Sequence, residues 1–179
     1  AAEVRTYIEE ERLHAAEGWQ PAATERRFNG VSLEAGKRKL TVRGRIDRLD
    51  RSPGGVRVVD YKTGGGGRDK PDGYRRGGSL QFPIYLHAAS RTEEVALVDC
   101  RAEFHYVSER AGFERLALTG EELSADGRFE EVLGAMAEGI EGGAFFYRPG
   151  NARSNCRFCD FRDVCHTQVD KHSLRKEPG

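Results

Sequence analysis

Arg38-Lys39-Leu40-Thr41-Val42-Arg43-Gly44-Arg45-Ile46-Asp47-Arg48-Leu49-Asp50, then Ser52-Pro53-Gly54-Gly55, then Val56-Arg57-Val58-Val59-Asp60-Tyr61-Lys62-Thr63-Gly64 is the stretch from which the fold is read. Two runs rich in β-branched residues flank a turn signal, which predicts two strands joined as an antiparallel hairpin. In the first, Leu40, Val42 and Ile46 share one face, leaving Arg43, Arg45 and Asp47 together on the other. In the second, Asp60 and Lys62 are two apart and emerge on one face, where the buried run Val56 to Val59 opens into a glycine loop. Upstream, Ala22 to Leu33 predicts a further strand, with Glu34-Ala35-Gly36 as its turn, so the three form an antiparallel meander.

Working outward, Glu3 to Ala16 predicts a helix with Val4, Tyr7 and Ile8 at helical spacing, ended by Gly18. After the loop Gly64 to Gly78, Ser79 can cap a helix running to about Ser90, with Pro83 tolerated near the first turn. Val95 to Val107 predicts a strand with Cys100, Ala102, Phe104 and Tyr106 on one face, and a turn at Ala111-Gly112 leads to a strand over Phe113 to Leu118. From Gly127, Phe129, Val132, Leu133, Met136, Ala137 and Ile140 keep the spacing of a core helix face. The order helix, three strands, helix, two strands, helix predicts an α/β fold, a mixed central sheet flanked by helices. The expected organisation is one domain over 1–150, a cysteine-rich segment over 151–166 and a polar tail over 167–179.

Of the 179 residues 37% are hydrophobic and 32% charged, and apolar runs recur regularly enough to exclude general disorder. No run approaches the ~18 apolar residues of a membrane helix, and the first residues lack a signal core, so a cytoplasmic protein without a membrane partner is expected. Net charge is zero, so affinity for nucleic acid must come from local patches. Lys37, Arg38, Lys39, Arg43, Arg45, Arg48 and Arg51 form one, and Arg68, Lys70, Arg75 and Arg76 another.

Both patches flank acids with a defined chemistry. If the two strands pair as a hairpin, the carboxylates of Asp47 and Asp60 can lie about 5 Å apart, where like charges repel by roughly 3 kcal/mol at an effective dielectric of ~20. A divalent cation removes that repulsion. Ligation by carboxylates and a backbone carbonyl, here that of Tyr61, selects hard ions such as Mg2+ or Mn2+. Such an ion can polarise a phosphate and activate a water, while Lys62 orients the water or stabilises charge on the phosphate oxygens. Glu25 could supply a further ligand. Cys156, Cys159 and Cys165 have spacing fit for a soft metal or cluster, with Cys100 read as a buried thiol.

Gly44-Arg45-Ile46-Asp47-Arg48-Leu49-Asp50, Asp60-Tyr61-Lys62-Thr63-Gly64 and Gln81-Phe82-Pro83-Ile84-Tyr85, taken together, resemble the nuclease domain of RecB-like and AddB-like helicase-nucleases in the PD-(D/E)xK superfamily. The likeness runs from about Trp19 to Cys165. It implies a restriction-endonuclease-like fold with a cysteine-rich C-terminal appendage, and DNA, as single strands or duplex ends, as substrate. It implies a role in recombination and repair beside a helicase domain or subunit. The catalytic roles fall on Asp47, Asp60, Lys62, Gln81 and Tyr85, with Glu25 matching the family's upstream acid. DNA contacts are expected from Arg43, Arg45, Arg48 and Arg68. The three cysteines correspond to a structural [4Fe-4S] site, with zinc, and His166 as a fourth ligand, as the other reading.

In that family an upstream helix also carries a metal-binding histidine, and a fourth cluster cysteine lies further upstream. Neither matches His14 or Cys100 well, so a fragment with an incomplete cluster is expected. Two other functions fit the same features: a non-catalytic DNA-binding module on a degenerate nuclease fold, and a structural cysteine-metal domain that docks a protein.

Overall fold

Apolar and charged side chains alternate through the central segments, and in the computed structural model they form a five-stranded sheet among the described residues, 2–14, 17–64, 80–144, 156, 159 and 160. Helix α1 (Ala2–His14) precedes β1 (Gln20–Ala35), β2 (Arg38–Ser52) and β3 (Gly55–Lys62), which pair as the expected antiparallel meander. Helix α2 (Gln81–Glu93) then leads to β4 (Cys100–Tyr106), parallel to β3, and β5 (Arg115–Thr119) returns antiparallel at the edge. Short helix α3 (Gly120–Ala125) and helix α4 (Arg128–Glu141) follow. The sheet is therefore mixed, with strand order β1-β2-β3-β4-β5. A parallel neighbour needs a crossover, and α2 supplies it.

β3 is buried from Val56 to Asp60, because both faces at the sheet centre are covered. On one face Phe82 of α2 stacks on Phe104 of β4 at 3.8 Å between ring centroids, and Leu86, Ala88 and Ala89 are fully buried. On the other face lies α1. Of its evenly spaced apolar residues Val4 and Ile8 remain exposed, and Tyr7 is the one turned to the sheet, together with Glu11 one turn later.

The β1–β2 pairing is irregular at two points, one of them between Phe28 and Val31, where Gly30 has φ +71°. Such a bulge restores the register after an extra residue. Phe28 pairs with Gly44 across the strands, and a Cβ on Gly44 would meet the Phe28 ring at 2.6 Å, so that ring lies over the strand because position 44 has no side chain.

Several expected boundaries move. The helix expected from Ser79 starts at Gln81 after Leu80, which offers no side-chain cap, and Ser79 lies outside the described residues. The strand expected from Val95 begins at Cys100, after a single 3-10 turn over Leu97–Asp99. Helix α3 was not anticipated, although its capping box, Thr119 with Glu122, stands in the sequence. In α4 the residues Phe129, Leu133 and Ala137 are buried, but Met136 and Ile140, expected in the core, are 39% and 58% exposed. The buried stripe is narrower than the apolar one.

The chain separates into units 1–137 and 138–179. In the second, the end of α4 closes with the Ala144 N–H donating to the Gly139 carbonyl at 2.7 Å. Cys156 and Cys159 are free thiols joined by a bond from the Cys159 N–H to the Cys156 carbonyl at 3.4 Å. Cys165, His166 and Arg68 lie outside the described residues.

Candidate active site

Strand parity places the acids. The β2–β3 pairing ends at Arg48 with Val59, so Asp47 and Asp60 are the next facing positions and project on the same side of the sheet. Asp60 is 6% exposed and meets three polar side chains. Lys62 reaches its Oδ2 at 2.6 Å, Gln81 Nε2 donates to its Oδ1 at 2.5 Å, and the Tyr85 hydroxyl lies 3.3 Å from the same oxygen. Gln81 also accepts from Lys62 Nζ at 2.8 Å through Oε1 and donates to the Tyr85 oxygen at 2.8 Å. Being i and i+4 on α2, Gln81 and Tyr85 reach the sheet from one helix face. Tyr85 extends the chain of bonds to the Arg45 carbonyl at 3.0 Å.

Asp47 is held differently. Its Oδ2 accepts from the backbone N–H of Tyr61 at 3.1 Å, a donor on the β2 side of β3, beyond the last β2–β3 pair. Burial and the charges of Asp60 and Asp47 together push the Tyr85 hydroxyl up to about 12, against the opposing bond from Gln81. Tyr85 therefore stays a neutral donor at physiological pH. Lys62 Nζ also sits 4.3 Å from the Phe104 ring centroid, a contact that steers the ammonium.

Between the Thr24–Arg48 and Arg26–Ile46 pairs of β1 and β2, Glu25 falls opposite Asp47. Glu25 has a left-handed backbone, φ +52°, and its carboxylate pairs with Arg45 at 2.7 Å, both groups more than half exposed. Among the described residues no group of three or more His, Cys, Asp or Glu is gathered in a form that could hold a metal. Arg43 is exposed. Arg48 departs from its expected role: it has opposite parity to Asp47, is 12% exposed, and spends its donors inside the protein. It holds Asp50 through two bonds at 2.6 and 2.9 Å, Glu11 at 2.5 Å and the Tyr61 hydroxyl at 3.2 Å. A guanidinium so engaged is not available to a DNA phosphate. Burial opposes its charge, but these bonds raise its proton affinity above the usual range.

Arg48 belongs to a buried polar network on the face of the sheet away from Asp60, which sequence reasoning missed. Asp50, fully buried, also accepts from Arg57 Nε and Nη2 at 3.0 and 2.6 Å. Among the described residues Arg57 Nη1 has no hydrogen-bond partner, and it lies 3.6 Å from the Glu17 and Glu103 carboxylates. Glu103 is 2.6 Å from His105 Nε2 and 2.5 Å from Arg101 Nε. Although burial pushes its carboxyl up, the bonds from His105 and Arg101 hold it down to about 2. Burial keeps His105 below its usual range. The Tyr7 hydroxyl lies 2.8 Å from His105 Nδ1, and Glu11 bridges Arg48 to Arg115 at 2.7 Å. The available signal was the run of charges at alternate positions Arg101, Glu103 and His105, facing away from Ala102 and Phe104.

The sequence model of the PD-(D/E)XK nuclease superfamily matches residues 1–166. The chain belongs to that superfamily. The mixed sheet between helices is consistent with the restriction-endonuclease-like fold of that superfamily. A solved structure described as the crystal structure of SSO0001 is similar at 16% identity over 89% of this chain and 66% of that one, with a TM-score of 0.48. No curated protein gives a significant match. Among the described residues no helix is long and apolar enough to cross a membrane.

Proposed function

We propose that this superfamily member hydrolyses DNA phosphodiester bonds with a divalent cation held by the Asp47 and Asp60 carboxylates and the Tyr61 carbonyl. The observation that carries the reading is the closed set of bonds joining Asp60, Lys62, Gln81 and Tyr85 beside Asp47. The donor set is all oxygen and anionic, which fits a hard ion, Mg2+ or Mn2+. Bound there, such an ion polarises a phosphate and lowers the pKa of a water.

The chain's own residues do the rest. Lys62, a quarter exposed, is aimed by Gln81 Oε1 and the Phe104 face, and its ammonium meets charge that builds on the phosphate oxygens. Gln81 fixes Asp60 and Lys62 relative to each other, and Tyr85 ties that pair to β2. Arg43 and Arg45, outward on β2, meet the backbone of the strand being cut. Glu25, paired with Arg45, is the nearest additional acid on β1 for the upstream role.

The subtype reading, a RecB-like or AddB-like exonuclease domain working with a helicase in repair, rests on the three motifs and their order. For the C-terminal segment we propose that Cys156, Cys159 and Cys165 ligate a [4Fe-4S] cluster, with zinc as the other candidate. Cys100 is unsuited to that role. It is buried, bonded to the Ala96 carbonyl, and burial pushes its thiol up to about 11.

The test incubates the purified chain with labelled single-stranded and duplex DNA in Mg2+, in Mn2+ and in EDTA. Cleavage that needs the ion and is lost in Asp47→Asn, Asp60→Asn and Lys62→Ala supports the reading. A chain that takes up Mn2+ and binds DNA yet never cuts it is instead a non-catalytic clamp.

A further inference from the structure

The Asp47 carboxylate hangs from one atom of the backbone, the Tyr61 nitrogen, and nothing in the β2–β3 ladder holds Tyr61 at that point. Its lateral position comes from pairing with His105 on β4 and from its own side chain, which points to the opposite face. There the ring meets Tyr7 edge-on at 5.7 Å and His105 at 6.3 Å, and the hydroxyl accepts from Arg48 at 3.2 Å. Tyr7 is anchored on His105, which is anchored on Glu103. Arg48 is anchored on Asp50, and Asp50 on Arg57. Glu11 ties β2 to β5. Side chains from β2, β4 and α1 thus converge on one tyrosine of β3, directly behind the amide that orients Asp47.

We infer that Tyr61, Tyr7 and Arg48 are positioning residues for the metal site, acting from the back of the sheet through the Tyr61 amide to hold Asp47 in register with Asp60. The physical argument is one of cost. A buried network of this size lowers stability unless each charge is satisfied, and hydrophobic residues of similar volume often serve a core equally well. Here its geometry restrains a single backbone segment, which carries an N–H aimed at the Asp47 carboxylate and directly follows Asp60. A ligand held by its own hydrogen-bond donor binds a cation without first being ordered. Helix α1 then contributes to the site without placing an atom in it. This inference rests on the proposed nuclease reading.

Tyr61→Phe and Tyr7→Phe each delete one hydroxyl and keep the ring contacts, so the fold should survive. Arg48→Ala would leave Asp50 with half its partners, and it is avoided for that reason. Mn2+ binding is measured directly, by titration calorimetry and by the loss of free Mn2+ signal in electron paramagnetic resonance, beside thermal unfolding of the metal-free proteins. Tyr61→Phe should raise the Mn2+ dissociation constant about tenfold, the low end of outer-shell effects, and Tyr7→Phe by about threefold. Both should unfold within a few degrees of wild type, and excess Mn2+ should restore cleavage.

Wild-type affinity in both variants, with Asp60→Asn unable to bind, overturns the positioning role and leaves the nuclease reading standing. Weaker binding that merely tracks a large fall in unfolding temperature also overturns it. A wild-type chain that takes up no Mn2+ overturns the nuclease reading and this inference with it.

Discussion

Replacing Lys62 by Met should separate metal binding from cleavage. The ammonium is 2.6 Å from Asp60 Oδ2 and 2.8 Å from Gln81 Oε1, so it occupies one side of a carboxylate proposed as a metal ligand. Charges ~4 Å apart attract by about 4 kcal/mol at an effective dielectric of ~20. With the lysine side chain 25% exposed, screening and relaxation reduce the net figure to roughly 1–2 kcal/mol. Methionine keeps an apolar stem against Phe104 and removes the charge. The metal-free variant should lose about that much stability. A divalent ion, no longer opposed by a cation, should bind up to about tenfold more tightly, since ~1.4 kcal/mol is a factor of ten. Cleavage should fall by ~100- to 1,000-fold, the usual result of removing one transition-state donor. Calorimetric Mn2+ titration, unfolding in EDTA and in saturating Mn2+, and single-turnover cleavage read the three effects separately. The variant should gain more stability from Mn2+ than wild type does. Folded Lys62→Met protein that binds Mn2+ more weakly than wild type, or cuts at a near wild-type rate, would refute the reasoning.

Asp50→Asn should destabilise the domain by about 3–5 kcal/mol in urea denaturation, because the buried Arg57 and the partly buried Arg48 lose their shared, fully buried carboxylate; a change under ~1 kcal/mol would contradict the network's structural role. Glu103, held to about 2, contributes stability that is complete above the unfolded glutamate range and lost as pH falls from ~4.5 through ~2. His105, kept low by burial, adds loss as pH falls below ~6.5. Glu103→Gln should flatten the stability profile between ~pH 4.5 and 2, as read by unfolding midpoints across that range. The double variant Arg43→Ala, Arg45→Ala should reduce the slope of log affinity for single-stranded DNA against log salt by about 1.4, from ~0.7 per phosphate contact. An unchanged slope would move the contacts to other cations, with Arg68, Lys70, Arg75 and Arg76 first in line.

The local pattern of β2 and β3 is legible in the sequence. Alternation and the Ser52 to Gly55 turn imply a hairpin, and a hairpin with that turn brings Asp47 opposite Asp60, because antiparallel partners share a face by geometry alone. The i, i+4 spacing of Gln81 and Tyr85 likewise placed both on one helix face. Periodicity was less informative for α4, where the apolar spacing reaches Met136 and Ile140 but the burial does not. How much of an apolar stripe is covered depends on what packs against it.

The tertiary structure alone decided the fate of the charges. In sequence Arg48 reads as a contact for DNA, and nothing local marks Arg57, Glu103 and His105 as buried. Their burial depends on α1 crossing that face with Tyr7 and Glu11, and on pairings such as Glu11 with Arg115, 104 positions apart. A charge can leave water only where a partner waits for it. Which residues wait there is settled by strand order and helix placement, and no local window of the chain contains that information.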